Sequence, residues 1–297
     1  MKPLPSLPSC PTQLCADDIE QFNQTGYLAF RDALTPQELE AARGAISELV
    51  QRLVRSQSIT RKGPFWIAQG DDFGVQFEAG YEPASNEAHE ADAGEDMAEV
   101  ELKVRKLMWF CGQHPHFGYL SAEHPRLRGV LQSLIGQSPI FFQDMALIKP
   151  PHIGSEKPWH QDNAYFAVAP LEAVVGIWIA LDDATTENGC MHVLPGGQRR
   201  GALKHFHGRD CEIVADRIEP SQAVPVELPA GGALFFAGML PHQTPPNASP
   251  HRRRALQFHY RAASSRIVER DEYDHLYAEA DGTPASCAAA PRAATSG

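Results

Sequence analysis

The chain has 297 residues, of which 43% are hydrophobic and 21% charged, a composition typical of a globular protein with a sizeable core. Its formal net charge of −11 argues against a nucleic-acid partner, because phosphate backbones are bound through concentrated lysine and arginine. No apolar run is long enough for a transmembrane helix, so no membrane partner is expected. Six scattered cysteines and a start without a signal peptide predict reduced thiols in a cytoplasmic protein.

The first part of the chain predicts an arm followed by helices. Residues 1–15 contain four prolines and no periodic pattern, so we expect a mobile arm. A short helix is predicted over 17–24 and a strand over 27–30. Thr35-Pro36-Gln37-Glu38 combines a capping box with proline at the first helical position, and an apolar stripe follows. It predicts a scaffold helix over 36–55.

The next stretch mixes loops with helix-like segments. Residues 56–81 are aromatic and glycine-rich and predict a hairpin or loop pair, which is either a surface connection or a wall over a substrate site. Residues 82–101 carry eight Asp or Glu and no Lys or Arg, which predicts a solvated acidic loop, with a cation trap or regulatory metal site as the alternative. Two helix-like segments are predicted over 103–113 and 120–134.

From residue 140 the pattern changes to short apolar runs separated by turns, and these runs cover residues 140–148, 174–181, 191–194, 224–228, 232–236 and 255–260. Several short strands of this kind indicate a sandwich or barrel, so the fold class is mainly β with flanking helices (α+β). We expect one domain over residues 1–280 and a disordered tail over 281–297.

One short motif in this region has metal-binding chemistry. His160 and Asp162 are two residues apart, so they project to the same side of an extended strand. His242 lies 80 residues after Asp162, and two histidines with one carboxylate are the ligand set of non-haem Fe(II) oxygenases. Arg253 follows 11 residues later, where the next strand would deliver a guanidinium suited to a carboxylate.

Together these motifs resemble the phytanoyl-CoA dioxygenase family of Fe(II)- and 2-oxoglutarate-dependent oxygenases. The likeness covers about 120 residues in the family's order and rests on Trp159-His160-Gln161-Asp162 with Tyr165-Phe166, Gly176 to Thr185, Glu187-Asn188-Gly189-Cys190 with Pro195-Gly196, and the spacing of His242 and Arg253. A looser likeness extends upstream over residues 19–38.

The resemblance implies a double-stranded β-helix (jelly roll, cupin-like) core with N-terminal helices packed on it. It implies iron held by His160, Asp162 and His242, and 2-oxoglutarate held by Arg253. The implied reaction consumes O2, releases succinate and CO2, and hydroxylates or otherwise oxidises an unactivated C–H of a small organic molecule. Related halogenases carry a small residue at the position of Asp162, so a carboxylate there favours hydroxylation, desaturation or ring closure.

The resemblance also assigns two residues to the co-substrate pocket. Family members use a basic residue upstream of the His-x-Asp motif, for which Arg105 is the best match and Lys106 the next, although a solvated helix face is an alternative. Trp178, 18 residues after His160, matches a tryptophan that walls the pocket, the alternative being a plain core residue.

Three further residues are expected near the metal. Gln143 lies on a strand that should adjoin it and is a candidate cofactor contact, while a satisfied polar group on a half-buried strand is the alternative. Tyr165 and Phe166 lie just past the motif and are candidate substrate contacts.

Alternation along the strand from Arg253 places Gln257 and His259 on the arginine's side, hence inward. Both are candidate substrate contacts, although His259 also fits a hydrogen-bonded core histidine. Arg252 and Arg254 project to the opposite side and are expected to be surface charges.

Two other functions remain open at this point. One is a cupin-like protein that binds a metal or ligand without turnover, for which an intact triad and Arg253 would be superfluous. The other is a halogenase, which Asp162 disfavours. The sequence predicts a small-molecule substrate and leaves its identity and the oligomeric state open, and His192 and His205 receive no role.

Overall fold

Antiparallel strands make up most of the fold, and helices pack on the larger of two main sheets. The computed structural model describes residues 4, 6–56, 59–62, 65–83, 96–207 and 210–278. The strands are β1 (Tyr27–Phe30), β2 (Ile59–Lys62), β3 (Phe65–Gln69), β4 (Gly74–Phe77), β5 (Val104–Met108), β6 (Pro139–Lys149), β7 (Lys157–His160), β8 (Val168–Ala169), β9 (Val174–Ala180), β10 (Met191–Val193), β11 (His205–His207), β12 (Cys211–Ile213), β13 (Val224–Val226), β14 (Ala233–Ala237), β15 (His242–Thr244), β16 (Arg253–Ala262) and β17 (Arg266–Ile267). The helices are α1 (Ala16–Thr25), α2 (Pro36–Ser56), α3 (Met97–Glu101), α4 (Pro115–Ala122), α5 (Pro125–Ile135), α6 (Asn163–Phe166) and α7 (Arg270–Tyr277).

Two sheets position the site. The larger has the order β1-β14-β9-β16-β6-β5-β4-β3-β2, and the smaller has the order β13-β10-β15-β7. They face each other near the motif, where the Phe236 ring on β14 lies 5.0 Å from the His242 ring on β15. This arrangement agrees with the predicted jelly roll, and each predicted apolar run in the C-terminal half contains a strand.

Helix α2 forms as its local sequence predicts. The Thr35 backbone N–H donates to the Glu38 carboxylate at 2.9 Å, and the Glu38 backbone N–H donates to the Thr35 hydroxyl at 3.3 Å, so the capping box is present. Leu39, Ile46 and Leu49 lie on its buried face and join the main core. The helix ends at Ser56, one residue beyond the predicted end.

The helix predicted over 103–113 is wrong, because β5 lies there. Its buried residues Val104 and Leu107 are three apart, a spacing typical of a helix. The pairing with β4 explains this spacing, since the register shifts between Gln76 and Phe77 and leaves an extra residue on β5. The second predicted helix, over 120–134, is present as two helices, α4 and α5.

The described part of the N-terminal arm is packed rather than loose. Cys10 and Leu14 are buried, and the Cys10 backbone N–H donates to the Asp32 carboxylate at 3.0 Å. The predicted hairpin over 56–81 is present as β2, β3 and β4, which extend the larger sheet. The acidic loop lies outside the described residues at positions 84–95 and ends in α3, and the tail over 281–297 also lies outside them.

Two expectations about side chains are corrected. Arg254 is buried, and its guanidinium donates to both oxygens of Asp182 at 2.9 and 2.7 Å, so it is not a surface charge. Arg252 is half-buried and donates to Glu101 at 2.6 Å.

Cys211 is disulfide-bonded, which differs from the expectation of reduced thiols, whereas four other cysteines are free. None of the described helices is both long and apolar enough to cross a membrane.

Candidate metal centre

Three side chains from the predicted motif meet between the two sheets. His160 ends β7 and His242 begins β15, and the two residues are paired in register. Asp162 follows β7, and its Oδ1 lies 3.2 Å from His160 Nε2 and 3.7 Å from His242 Nε2. One ligand atom from each residue lies within 4.8 Å of the others, and all three residues are buried. The structure therefore brings the predicted triad together.

Hydrogen bonds fix the histidines in the form that a metal needs. His160 Nδ1 donates to the Pro158 carbonyl at 2.8 Å, and His242 Nδ1 donates to the Leu240 carbonyl at 2.9 Å. Because a carbonyl only accepts, the proton sits on Nδ1 and the Nε2 lone pair points to the common centre. Burial lowers the pKa of His242 to about 3, so His242 is neutral at physiological pH.

Asp162 supplies the negative charge of the site. Burial acts to raise its pKa, but the neighbouring His242 and His259 hold that pKa well below the usual range for a carboxyl. Two neutral imidazoles and one ionised carboxylate on one side of a centre are the donor set that Fe(II) takes in non-haem oxygenases. The residues present therefore fit that ion.

The second oxygen of Asp162 is held by the larger sheet. His259 Nε2 lies 2.7 Å from Asp162 Oδ2, and Gln257 Nε2 donates to the same oxygen at 3.1 Å. His259 Nδ1 lies 2.5 Å from Gln143 Oε1, which completes a chain from β6 through β16 to the carboxylate. Because Oδ2 is occupied, Oδ1 remains for a metal.

Three residues that the sequence placed near the metal take part in these contacts. Gln257 and His259 were candidate substrate contacts, but both are buried and engaged with Asp162, so His259 matches the alternative of a hydrogen-bonded histidine. Gln143, a candidate cofactor contact, contacts His259. All three hold the ligand carboxylate in position.

Arg253 and Trp178 form a buried pair beside the site. Arg253 is 1% exposed, its guanidinium carbon lies 5.1 Å from the Trp178 ring centroid, and burial lowers the pKa of Arg253 to about 10. The terminal nitrogens donate to the carbonyls of Leu147 and Gly189 at 3.1 and 3.2 Å. Arg253 Nε and Trp178 Nε1 are buried donors that lack a partner in the described part of the chain. Buried donors without a partner, next to the positively charged guanidinium, suit a co-substrate that carries a carboxylate.

The extra residue in β5 places two basic side chains on one side of the sheet. A bulge turns both Arg105 and Lys106 away from the core face that holds Val104 and Leu107. The Arg105 guanidinium donates to the Ser155 hydroxyl at 3.1 Å and to Gln76 Oε1 at 2.9 Å. Burial, followed by the charges of Arg105 and Lys157, lowers the pKa of Lys106 to about 7.

Tyr165 and Phe166 lie in α6, just past the metal ligands as predicted. The Tyr165 ring lies 5.9 Å from the His160 ring, and the Phe166 ring lies 4.6 Å from the His259 ring. The Tyr165 hydroxyl donates to Asp210 Oδ1 at 3.0 Å. Both residues therefore pack against the residues that form or support the triad.

The sequence model of phytanoyl-CoA dioxygenase matches residues 22–255, more than half of the chain. The chain belongs to the phytanoyl-CoA dioxygenase family. The family predicted from the motifs is thereby confirmed.

Relatives in the phytanoyl-CoA dioxygenase family match over most of their length. "Phytanoyl-CoA dioxygenase domain-containing protein 1" of Danio rerio is 26% identical over 273 residues, which cover 83% of this chain and 89% of the relative. "Phytanoyl-CoA dioxygenase" of Arabidopsis thaliana is 27% identical over 254 residues, covering 83% and 88%.

Solved structures of oxygenases confirm the jelly-roll fold. The α-ketoglutarate-dependent carbocyclase SnoK from nogalamycin biosynthesis is 21% identical with a TM-score of 0.64, and covers 88% of this chain and 89% of its own. EctD from S. alaskensis, solved with bound Fe, has 20% identity, a TM-score of 0.61 and coverage of 93% and 87%. EvdO2 from Micromonospora carbonacea, complexed with 2-oxoglutarate, has 24% identity, a TM-score of 0.58 and coverage of 92% and 99%.

Sequence reasoning missed the residue that ties the motif of this family member together. Gln161, between the two ligands, is fully buried, and its amide donates to the carbonyls of Met239 and Gly201 at 2.7 and 2.9 Å. Its Oε1 accepts from the Leu203 backbone N–H at 2.8 Å, and its own backbone N–H donates to His205 Nε2 at 3.0 Å. The sequence signals only its position between the two ligands, because its partners come from distant segments.

Proposed function

We propose that this chain is an Fe(II)- and 2-oxoglutarate-dependent oxygenase that hydroxylates, or otherwise oxidises, an unactivated C–H of a small organic molecule. O2 would be consumed, and succinate and CO2 released. The observation that carries the proposal is the buried triad of His160, Asp162 and His242 with the unpartnered donors of Arg253 and Trp178 beside it. Family membership and the fold of the related oxygenases support it.

The residues divide the work between metal and co-substrate. His160, Asp162 and His242 would hold the iron, and Arg253 would bind the far carboxylate of 2-oxoglutarate with its free Nε. Iron and 2-oxoglutarate, when bound, supply the oxidising chemistry, so the chain need provide no acid or base. Its task is to bind, orient and exclude water.

Lys106 is better suited than Arg105 to the remaining carboxylate of the co-substrate. The Arg105 guanidinium is already engaged by Ser155 and Gln76, whereas Lys106 shows the lowered pKa of an ammonium without a dedicated anion. An incoming carboxylate would stabilise the charged form of Lys106. The sequence ranked Arg105 before Lys106 as the basic residue that contacts 2-oxoglutarate, and this proposal reverses that order.

Asp162 favours oxygenation over halogenation. A halogenase needs room on the metal for a halide, and the Asp162 carboxylate takes that room with Oδ1 directed toward both histidines. The support that Oδ2 receives from the larger sheet keeps the carboxylate there. We expect products that do not depend on chloride.

The substrate is proposed to be a small molecule in a cytoplasmic setting. The net charge of −11 disfavours nucleic acid.

Anaerobic spectroscopy tests the proposed function. Adding Fe(II) and 2-oxoglutarate to the protein should give a weak visible charge-transfer band at roughly 500 nm, as the resemblance implies. The band should vanish in His160→Ala and persist in His192→Gln, a matched histidine on β10 outside the triad. A native protein that binds Fe(II) and gives no band would favour a non-catalytic binding protein. Succinate release against a metabolite panel then tests turnover.

A further inference from the structure

A charged cluster of side chains lies beside the metal ligands and is not used by the proposed binding of iron and 2-oxoglutarate. Lys157 Nζ lies 2.6 Å from Asp210 Oδ1, and the Arg105 guanidinium lies 3.6 Å from Asp210 Oδ2. The Lys157 and Asp210 side chains are 25% and 24% exposed, compared with 5% for His160. Solvent, and hence a substrate, can reach this cluster.

Tyr165 connects the cluster to the metal ligands. Its hydroxyl donates to Asp210 Oδ1 at 3.0 Å, and Lys157 Nζ lies 4.7 Å from its ring centroid. The centroid of the same ring lies 5.9 Å from the centroid of the His160 ring. A molecule bound at Lys157 would therefore extend naturally toward the iron ligands across one aromatic ring.

Three basic side chains surround the Asp210 carboxylate. Arg105 and Lys157 contact the carboxylate of Asp210, and Lys106 lies close to it. Burial, followed by the charges of Arg105 and Lys157, lowers the pKa of Lys106, whereas Asp210 acts to raise it. Two further carboxylates lie nearby. Glu78 accepts from the Ser155 backbone N–H at 3.0 Å and lies 3.9 Å from Arg105, and the charge of Asp162 acts on Lys157.

The proposed binding of the co-substrate leaves two of these basic side chains unused. In the proposed function, Lys106 and the iron would bind one carboxylate of 2-oxoglutarate, and Arg253 would bind the other. Arg105 and Lys157 then still share Asp210. Because Asp210 already binds there through its carboxylate, the donors of the cluster are arranged for a group of that shape.

We propose that Lys157, Arg105 and Tyr165 form the substrate anchor and select a substrate that carries a carboxylate. The inference rests on the proposed function and adds the class of substrate. The substrate carboxylate would bind Lys157 and the Arg105 Nη2 that faces Asp210, since Nε and Nη1 are held by Ser155 and Gln76. It would compete with Asp210, which holds these donors when no substrate is present. Asp210 is therefore expected to weaken substrate binding, whereas Lys157 strengthens it.

Calorimetry with matched acids and amides tests this anchor. The probes are butanoate, octanoate and dodecanoate with the corresponding primary amides, added anaerobically to protein saturated with Fe(II) and 2-oxoglutarate, so that the co-substrate site is filled. At least one acid should bind about tenfold more tightly than its amide, the effect of a charge-assisted hydrogen bond at a partly exposed site. Lys157→Gln should abolish that preference, and Lys62→Gln, an exposed lysine on β2, should keep it.

The direction in which Asp210→Asn changes acid affinity distinguishes a competing carboxylate from a structural one. Removing the competing carboxylate should tighten acid binding several-fold, whereas a purely structural Asp210 would leave it unchanged or weaken it. Arg105→Gln provides a second variant should Lys157→Gln fail to fold, which thermal unfolding would reveal. Equal binding of every acid and its amide, or no binding by any acid, would overturn the anchor.

The charge-transfer band in the same samples separates the two proposals. A band without any acid preference rejects only the anchor. Absence of the band with Fe(II) bound rejects the proposed function, whatever the acids do.

Discussion

The contact of His259 with Asp162 predicts a measurable loss of metal affinity in His259→Phe. Phenylalanine keeps the ring that packs 4.6 Å from Phe166 and 6.0 Å from Phe236, but it cannot donate to Asp162 Oδ2. Partners that orient a metal ligand typically contribute 10- to 100-fold to affinity. Gln257 still donates to the same oxygen at 3.1 Å, so we expect the lower end, about tenfold, or about 1.4 kcal/mol.

The assay is anaerobic competition for Fe(II) against a chromophoric chelator, without 2-oxoglutarate, so that only the protein ligands are measured. The double variant with Gln257→Leu removes both donors and should lose about 100-fold. His192→Gln serves as the matched histidine control and should bind like the native protein. If His259→Phe is folded and keeps its Fe(II) affinity within twofold, the contact does not orient Asp162 and the reasoning is refuted.

Three further predictions concern the co-substrate and stability. Arg253→Met should weaken 2-oxoglutarate binding by about 100-fold in a titration of the charge-transfer band, since a buried charged anchor is lost, while Fe(II) affinity should stay unchanged; a small effect would contradict the role of Arg253. Lys106→Met should weaken 2-oxoglutarate binding by about tenfold, whereas Arg105→Gln should change it less than twofold; the reverse order would restore the choice made from the sequence. Asp182→Asn should lower the free energy of unfolding at pH 7 by about 3 kcal/mol and the melting temperature by about 5 °C, because it breaks the two-point contact with Arg254. Burial acts to raise the pKa of Asp182, but Arg254 lowers it overall, so this stability is present above the unfolded pKa of about 4 and is lost as pH falls through the folded value. The difference in melting temperature should therefore shrink below about pH 4, and a constant difference would argue against the ion pair.

The metal ligands could be predicted from the sequence because their chemistry is tied to short spacing. His160 ends β7 and Asp162 lies two residues further on, while His242 and Arg253 begin β15 and β16, which follow one another in the chain. Alternation also predicted that Gln257 would point inward. Such local rules need no knowledge of the rest of the fold.

The partners of these residues could not be predicted, because they come from distant segments. The sequence gives no distance between His259 and Gln143, which lie 116 positions apart, or between Gln161 and Met239, which lie 78 apart. The burial of Arg254 also depends on a partner from another strand's end, Asp182. Alternation gives the side of a strand but not what covers that side.

The error at β5 has a different origin. A bulge moves the next buried residue by one position, so a strand acquires the apolar spacing of a helix. Single-sequence reasoning has no access to the strand partner that reveals the shift.

The bulge in β5 also makes the number of basic side chains near the metal ligands depend on the length of this strand. Deleting one residue at position 105 or 106 would restore strict alternation in β5. A single basic side chain, instead of two, would then lie on the side of the strand that faces away from Val104 and Leu107. On the proposed substrate anchor, insertions and deletions at this point would change which acids bind, without altering any of the proposed iron ligands. Library design aimed at new substrates could vary the length of this strand before its composition.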